Sequence, residues 1–327
     1  MSQEAIARGN DAPGAKETPR RAGRRRRWEA ADTVIAGSVL LVALIVGIFV
    51  ALCFQGYNST IENAKQRAQQ AADVVAEGTR WSIGAAIAVL DGIAATTGGD
   101  TANAGSDTFA TFQASAATIP AQLDFGVFDA EGRAIEDASS PNMPASIAGT
   151  DYFDAAAGGK AFALGAQTMN DDGESRFFVA RRLEVDGAFS GVAIIGIHGS
   201  GVLARAAEPQ DLGEDSSISL IRSDGLMVAR YPPVDEAIDV SGQPNFQQML
   251  TNETGSYISG PSIIDGIVRI IAFRRAGDLG LIAIATISKE TALAGLWYSI
   301  WIVSLLIAPI ALALLVGSFV TANLLRR

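Results

Sequence analysis

Two long runs without charged residues constrain this chain more than any other feature. No charge occurs between Asp32 and Glu62, and the centre of that run, 34–54, is almost wholly apolar. A helix over 34–54 would be about 31 Å long, enough to cross a bilayer core of about 30 Å. The run is longer than the apolar part of a signal peptide, and no cleavage site of small residues follows it. The sequence therefore predicts an uncleaved transmembrane helix.

The second uncharged run covers 291–325. Trp297 and Trp301 lie near its start, and such amphipathic rings favour the membrane interface. The composition agrees, because 49% of the residues are hydrophobic and only 18% are charged. We expect a second transmembrane helix at 294–321.

The distribution of charge predicts the orientation of the two helices. Residues 1–33 carry a net charge of +3, 55–296 carry −15, and the tail adds +2 through Arg326 and Arg327. Positive flanks stay inside, so both termini are predicted to be cytoplasmic and 55–296 to be extracytoplasmic. The basic arm is expected to rest on membrane lipid, and the total of −10 argues against a nucleic-acid partner.

The extracytoplasmic part contains a helix followed by a repeat. Small and apolar residues recur at near-helical spacing over 55–100, which predicts a long helix. Such a helix needs a partner along its length, either the domain that follows it or its twin in a dimer. Strand–turn–strand patterns then occur at 123–135 and again at 218–230. Each is followed by a short helical segment and two more strands. This order predicts an α+β fold with two domains in series.

The resulting domain boundaries cover the whole chain. They are a cytoplasmic basic arm (1–33), a transmembrane helix (34–54), a long extracytoplasmic helix (55–100), a membrane-distal module (101–204), a membrane-proximal module (205–293), a second transmembrane helix (294–321) and a short cytoplasmic tail (322–327).

Three segments carry a resemblance to a known family. They are Thr150-Asp-Tyr-Phe153, the segment 223–232 and the segment 265–269. In their order between two apolar helices they resemble the double-CACHE, or tandem PAS-like (PDC), sensors of bacterial histidine kinases and diguanylate cyclases. The resemblance implies two PAS-like modules on a long N-terminal helix, in the periplasm of a bacterial inner-membrane protein. It also implies a small-molecule ligand in the distal module, and a homodimer.

The resemblance gives candidate ligand-binding residues in the distal module. Asp151 and Tyr152 are carried over by position. Arg176 and Phe178 share one face of the following strand, and a guanidinium suits a carboxylate or a phosphate. Arg181 is a further candidate on the opposite face, although a second Arg-Arg pair in the other module favours a structural role for it. For each arginine, an ion pair at the surface is the alternative interpretation.

Two departures from the family pattern reduce the range of possible ligands. Amino-acid-binding members carry an Arg before the aromatic pair and an Asp at the end of the last strand, where this chain has Thr150 and Gly196. Without a carboxylate clamp and an ammonium acceptor, a zwitterion would be poorly satisfied. We therefore predict that free α-amino acids are not the ligand. The proximal module is predicted to be poorer in convergent polar side chains, and His198 is predicted to be a solvated connector.

Enzymatic function is not indicated. The chain has 1 Cys and 1 His, which limits metal sites and histidine-dependent catalysis, and it lacks a phosphate-binding P-loop, a serine nucleophile elbow and a zinc-protease motif. We predict no cofactor, no metal and no output domain. The leading hypothesis is a receptor that signals to a separate kinase, cyclase or other membrane protein. The alternatives are the sensory part of a truncated or split kinase or cyclase, and a non-sensory envelope interaction protein.

Overall fold

The computed structural model describes residues 19–116, 123–169, 175–199, 203, 212–234 and 238–326, with side chains from residue 32 onward. Most of the predicted basic arm and the predicted boundary between 204 and 205 lie outside these residues. The chain divides into two compact units. One comprises Met1–Tyr57 with Leu296–Arg327, and the other is Asn58–Gly295.

The regular elements alternate helix and antiparallel sheet. The helices are α1 (Pro19–Thr97), α2 (Ser106–Ala116), α3 (Asp151–Ala157), α4 (Phe246–Thr251) and α5 (Lys289–Arg326). The strands are β1 (Leu123–Asp129), β2 (Phe162–Leu164), β3 (Thr168–Met169), β4 (Ser175–Val185), β5 (Ala188–His198), β6 (Ser217–Arg222), β7 (Met227–Tyr231), β8 (Thr254–Pro261), β9 (Val268–Arg275) and β10 (Leu281–Ser288).

The first unit consists of the apolar parts of α1 and α5. Each helix contains a stretch long and apolar enough to cross a membrane, and none of that stretch is buried within the protein. The Ser38 hydroxyl donates to the Ser318 hydroxyl at 2.7 Å, so the two helices touch. Two candidate membrane helices therefore flank the second unit in sequence.

The second unit contains two five-stranded antiparallel sheets. In the first, the order is β1-β5-β4-β2 and β3 also pairs with β4; in the second, it is β7-β6-β10-β9-β8. We call residues 101–199 the first lobe and residues 212–288 the second lobe. The mixture of helices with two sheets confirms the predicted α+β class.

The hairpin between β4 and β5 shows how local sequence determines the strand pairing. Its two loop residues, Asp186 and Gly187, have φ of 51° and 81°. A two-residue turn with both φ values positive matches the right-handed twist of the strands, and Asp-Gly is among the sequences that adopt it readily. Val185 therefore pairs with Ala188, and the two longest strands of the sheet form one ribbon.

The apolar stripe of α1 is buried within the chain itself. Its small and apolar residues from Ala64 to Ile93 are almost completely inaccessible. Asp91 lies 2.9 Å from Arg181 of the first lobe, and Asp73 lies 3.3 Å from Arg274 of the second. The lobes are thus the partner that the long helix needs. Because the stripe is buried, it gives no support to the homodimer alternative.

Candidate functional site

The first lobe brings together three of the predicted ligand-binding residues. The rings of Tyr152, in α3, and Phe178, in β4, have centroids 5.3 Å apart. The Arg176 guanidinium lies 5.3 Å from the centroid of the Phe178 ring. Both rings belong to the buried cluster that fills the space between α3 and the sheet. Burial also raises the pKa of the Tyr152 hydroxyl to about 12.

Arg176 is already engaged with neighbouring groups. Its Nη1 atom lies 3.6 Å from the Asp124 carboxylate and donates to the Asn142 carbonyl at 3.0 Å. The same carboxylate oxygen of Asp124 lies 3.2 Å from His198 Nε2. The prediction that His198 is a solvated connector is wrong, because β5 places its ring beside β1 and the half-buried network around Asp124. Sequence spacing could not show this, since the two strands are adjacent only in the folded sheet.

The other two predicted residues lie away from this cluster. The Asp151 carboxylate lies 2.5 Å from the Arg222 guanidinium of the second lobe. Arg181 lies beside Asp91 of α1, with its guanidinium 4.6 Å from the Phe162 ring centroid. Asp151 therefore joins the lobes and Arg181 joins the first lobe to the long helix.

The second lobe contains a cavity of about 320 Å³ between its sheet and α4 with the loop before it. This volume is at the lower end of the range for small-molecule sites, roughly 300–1,000 Å³. Its lining includes serine, threonine and arginine side chains as well as apolar ones. The main lining residues are Ser217, Ser219, Ile221, Met227, Arg230, Phe246, Met249, Tyr257, Arg269, Ile271, Ile284 and Thr286.

The strand register explains how these residues share one face. Ser219 pairs with Arg230 on β7 and with Ile284 on β10, so the three lie in one row across the sheet. Ser217 pairs with Thr286 in the next row, and their hydroxyls are 2.9 Å apart. Because side chains alternate between faces, the serines of β6 at alternate positions both point into the cavity.

The cavity is polar at one end and apolar at the other. Ser217, Arg269 and Thr286 lie at the polar end, where β6 and β9 begin and β10 ends. Towards the opposite end, the apolar residues form the core cluster that packs under α4: Ile221, Phe246, Met249, Phe273, Ile282 and Ile284. The cavity thus offers hydrogen-bond donors at one side and an apolar wall at the other.

The two arginines of the cavity differ in the hydrogen bonds and the counter-charge that their guanidinium groups have. Arg269 donates two parallel hydrogen bonds to Asp265, at 2.7 and 2.6 Å, and a third from Nε to the Asp215 carbonyl. These hydrogen bonds hold the pKa of the Asp265 carboxyl well below its usual range. The charge of Arg269 is therefore balanced by a fixed carboxylate.

Arg230 has no such partner among the residues that the structure describes. Its side chain donates one long hydrogen bond, to Ser219 Oγ at 3.4 Å, and its Nε atom is buried without a hydrogen bond to any described group. The residue is only 8% exposed, and the described lining contains no Asp or Glu. Burial, together with the neighbouring Arg269, lowers the pKa of its guanidinium.

This site differs from the sequence-based prediction. The proximal module was predicted to be poor in convergent polar groups, whereas Arg230, Arg269, Ser217, Ser219 and Thr286 converge in the second lobe. The available signal was an arginine inside the otherwise apolar start of β7, Met-Val-Ala-Arg. No group of three or more metal-binding side chains occurs within the described ranges.

Comparisons with known proteins show what part of this chain is similar to. Residues 202–286 match a family model described as dCache_1-like, a histidine kinase sensor domain. This segment contains the β-strands and the helix that form the cavity. A search of curated protein sequences found no match.

Several solved structures share the fold. The extracellular domain of the putative histidine kinase rpHK1S-Z16 is 24% identical with a TM-score of 0.55, over 75% of this chain and 99% of that one. The periplasmic sensory domain of Campylobacter jejuni chemoreceptor Tlp1 is 12% identical with a TM-score of 0.53, over 72% and 98%. The ligand-binding domain of Pseudomonas aeruginosa PAO1 amino acid chemoreceptor PctB, solved with L-Gln, is 15% identical with a TM-score of 0.51, over 69% and 92%.

Residues 202–286 are thus similar to a CACHE-type sensor domain of signal-transduction receptors, and the solved structures share the fold of this chain. Two candidate membrane helices flank this domain, which fits a membrane protein with a periplasmic segment. No catalytic domain is evident in the described part of the chain, and the three structures named above are an extracellular domain, a periplasmic sensory domain and a ligand-binding domain.

Proposed function

We propose that this chain is a receptor of the bacterial inner membrane that binds a small molecule in the periplasm and signals to a separately encoded output protein. The observation that carries the proposal is the cavity of about 320 Å³ within the segment that matches a histidine kinase sensor domain. The charge pattern supports an orientation with both termini in the cytoplasm. The proposed partner for the output is a kinase, a cyclase or another membrane protein.

The second lobe is the proposed ligand-binding module, because its cavity is already open. The distal location implied by the family resemblance remains a second candidate, supported by the contact among Arg176, Tyr152 and Phe178. Those rings pack against each other, so a ligand there would have to separate them. Asp151 and Arg181 would then act indirectly, through the ion pairs that join the first lobe to its neighbours.

The proposed mechanism is a shift between two arrangements of the lobes. A ligand stabilises whichever arrangement it contacts better, and it can move the equilibrium only by that difference in affinity. The ion pairs between α1 and the lobes, Asp91 with Arg181 and Asp73 with Arg274, connect a change in either lobe to the helix. A small displacement of α1 would then carry the signal towards the membrane.

The test uses the full chain in detergent. Thermal unfolding is followed with organic acids, amines, nucleobases and phosphates, and membrane proteins that co-purify are identified. We expect at least one class of compound to raise the melting temperature in proportion to its concentration, as linkage requires. If no class does so and no kinase, cyclase or other membrane protein accompanies the chain, the receptor proposal is wrong.

A further inference from the structure

The charge balance of the second-lobe cavity is unusual for an apolar interior. Two guanidinium groups reach it, and the described residues supply one fixed carboxylate, that of Asp265, which is already bound in a bidentate pair with Arg269. Arg230 contributes a second positive charge that no described acidic side chain in the lining offsets. A buried guanidinium without a counter-charge is costly, so the site favours whatever brings one negative charge to it.

The shape of the cavity adds a second requirement. Hydroxyl groups of Ser217, Ser219 and Thr286 surround the arginine side of the sheet, whereas Phe246 and Met249 of α4 form an apolar wall. A ligand that satisfies both sides carries an anionic head and an apolar body. An ammonium group would find no acidic acceptor among the described lining residues, so a zwitterion or an amine fits poorly.

From these observations we propose that the second lobe binds a small monocarboxylic acid, with its carboxylate paired to Arg230 and its aliphatic or aromatic body against Phe246, Met249 and Ile284. The planar guanidinium suits a carboxylate through paired hydrogen bonds. Among the described residues one positive charge is left unbalanced, which favours a monoanion over a phosphate dianion. This inference rests on the proposed receptor function and specifies the chemical class of its ligand.

The carboxylate would occupy the position beside Ser219 and the unsatisfied Nε of Arg230. The Ser219 hydroxyl now receives only a long hydrogen bond from the guanidinium, at 3.4 Å, and can instead donate to a carboxylate oxygen. The hydroxyl pair of Ser217 and Thr286 in the next row provides a further donor. Binding would thus satisfy polar groups that the described protein atoms leave incompletely paired.

The experiment measures binding of a matched ligand series to the full chain in detergent, by calorimetry and thermal unfolding. Benzoate and 4-methylpentanoate are compared with benzamide and benzylamine, which keep the apolar body and change the charge, and with inorganic phosphate. We expect the carboxylates alone to bind with measurable affinity. Equal binding of benzamide or benzylamine, or binding of phosphate as tight as that of benzoate, would overturn the proposed class.

Variants of the protein then test where the carboxylate of the ligand binds. Arg230→Gln should weaken carboxylate binding by on the order of 10- to 100-fold, as expected for loss of a charge-assisted hydrogen-bonded pair. Ser219→Ala should weaken it about threefold to tenfold, the effect of one hydrogen bond, and it provides a milder variant if Arg230→Gln does not fold. Arg275→Gln, at an exposed position of the same sheet outside the cavity lining, is the control and should bind normally.

The outcomes separate this inference from the receptor proposal. If carboxylates bind equally well to the Arg230→Gln variant while circular dichroism shows it folded, the assigned site is wrong although a receptor remains possible. If another class of compound stabilises the wild-type chain and carboxylates do not, the ligand class is wrong and the receptor proposal stands. If no compound binds, the ligand class is wrong, and the receptor proposal fails as well if no membrane protein co-purifies.

Discussion

The Arg222 guanidinium of the second lobe binds the Asp151 carboxylate of the first lobe, with Nη1 and Oδ2 2.5 Å apart. The same guanidinium donates to the Leu164 carbonyl oxygen of the first lobe and pairs with Asp224 at 2.7 Å. The Arg222 side chain is 18% exposed and that of Asp151 38% exposed. One arginine therefore connects both lobes, and Asp151, predicted from family position to bind ligand, lies at the interface between them.

Replacing Asp151 should loosen this interface. For Asp151→Asn we expect a loss of about 1 kcal/mol in the free energy of unfolding, because the pair is partly exposed to solvent. Chemical denaturation of the full chain in detergent measures the change, and a double-mutant cycle with Arg222→Gln isolates the pair. The control is Glu131→Gln. The ion pair of Glu131 with Arg133 is far more exposed, so its loss should lower the free energy of unfolding by less. A coupling energy of zero in the cycle would show that the two side chains do not stabilise the interface.

Arg181 provides a second test of what a predicted ligand residue does. Because it pairs with Asp91, Arg181→Gln should weaken docking of α1 on the first lobe rather than ligand binding. Hydrogen exchange of the α1 amides around Asp91 should become faster by up to about fivefold, which corresponds to about 1 kcal/mol or less. Amides of α1 around Asp73, which pairs with Arg274, serve as the internal control. Unchanged exchange near Asp91 would contradict the assigned role.

The pH dependence of stability should reflect Asp265. Hydrogen bonds from Arg269 lower the pKa of this carboxyl in the folded protein below the value of about 3.9 expected in the unfolded chain. The unfolded state therefore takes up the proton first on acidification, and the stability present above about pH 4 is lost as the pH falls.

The measurement for Asp265 is the denaturation midpoint at several pH values. Asp265→Asn should flatten its decline below about pH 4 relative to the wild type. Asp107→Asn, at an exposed position of α2, should retain the wild-type slope. Parallel curves for Asp265→Asn and the wild type would rule out Asp265 as a source of the pH dependence.

The parts that could be predicted from sequence are those determined by near neighbours. The burial of Ala64 and Leu90 follows from helical spacing, and the β4–β5 hairpin follows from Asp186-Gly187. The role of Asp151 could not be read in this way, because Arg222 lies 71 positions away in the chain. The cavity is equally non-local, since all five strands of the second sheet contribute to its lining together with α4.

The two arginines of the second-lobe cavity should respond oppositely to the same substitution. Arg230→Met removes a buried cation that has no described carboxylate partner and replaces it with an apolar side chain of similar length. In the absence of ligand we expect this change to be neutral or to stabilise the fold by about 1–3 kcal/mol, as for other buried charges replaced by apolar groups. Arg269→Met instead leaves Asp265 without its bidentate partner and should destabilise the fold by about 1–3 kcal/mol.

The comparison uses chemical and thermal denaturation of both variants in the same detergent. If the Arg230→Met chain is more stable and no longer binds benzoate, Arg230 lowers the stability of the fold. Its role is then to bind the ligand and not to stabilise the protein. Destabilisation of Arg230→Met by as much as Arg269→Met would instead mean that Arg230 has a structural counter-charge in the folded protein. In that case the cavity carries no unbalanced charge, and the reason for expecting an anionic ligand disappears.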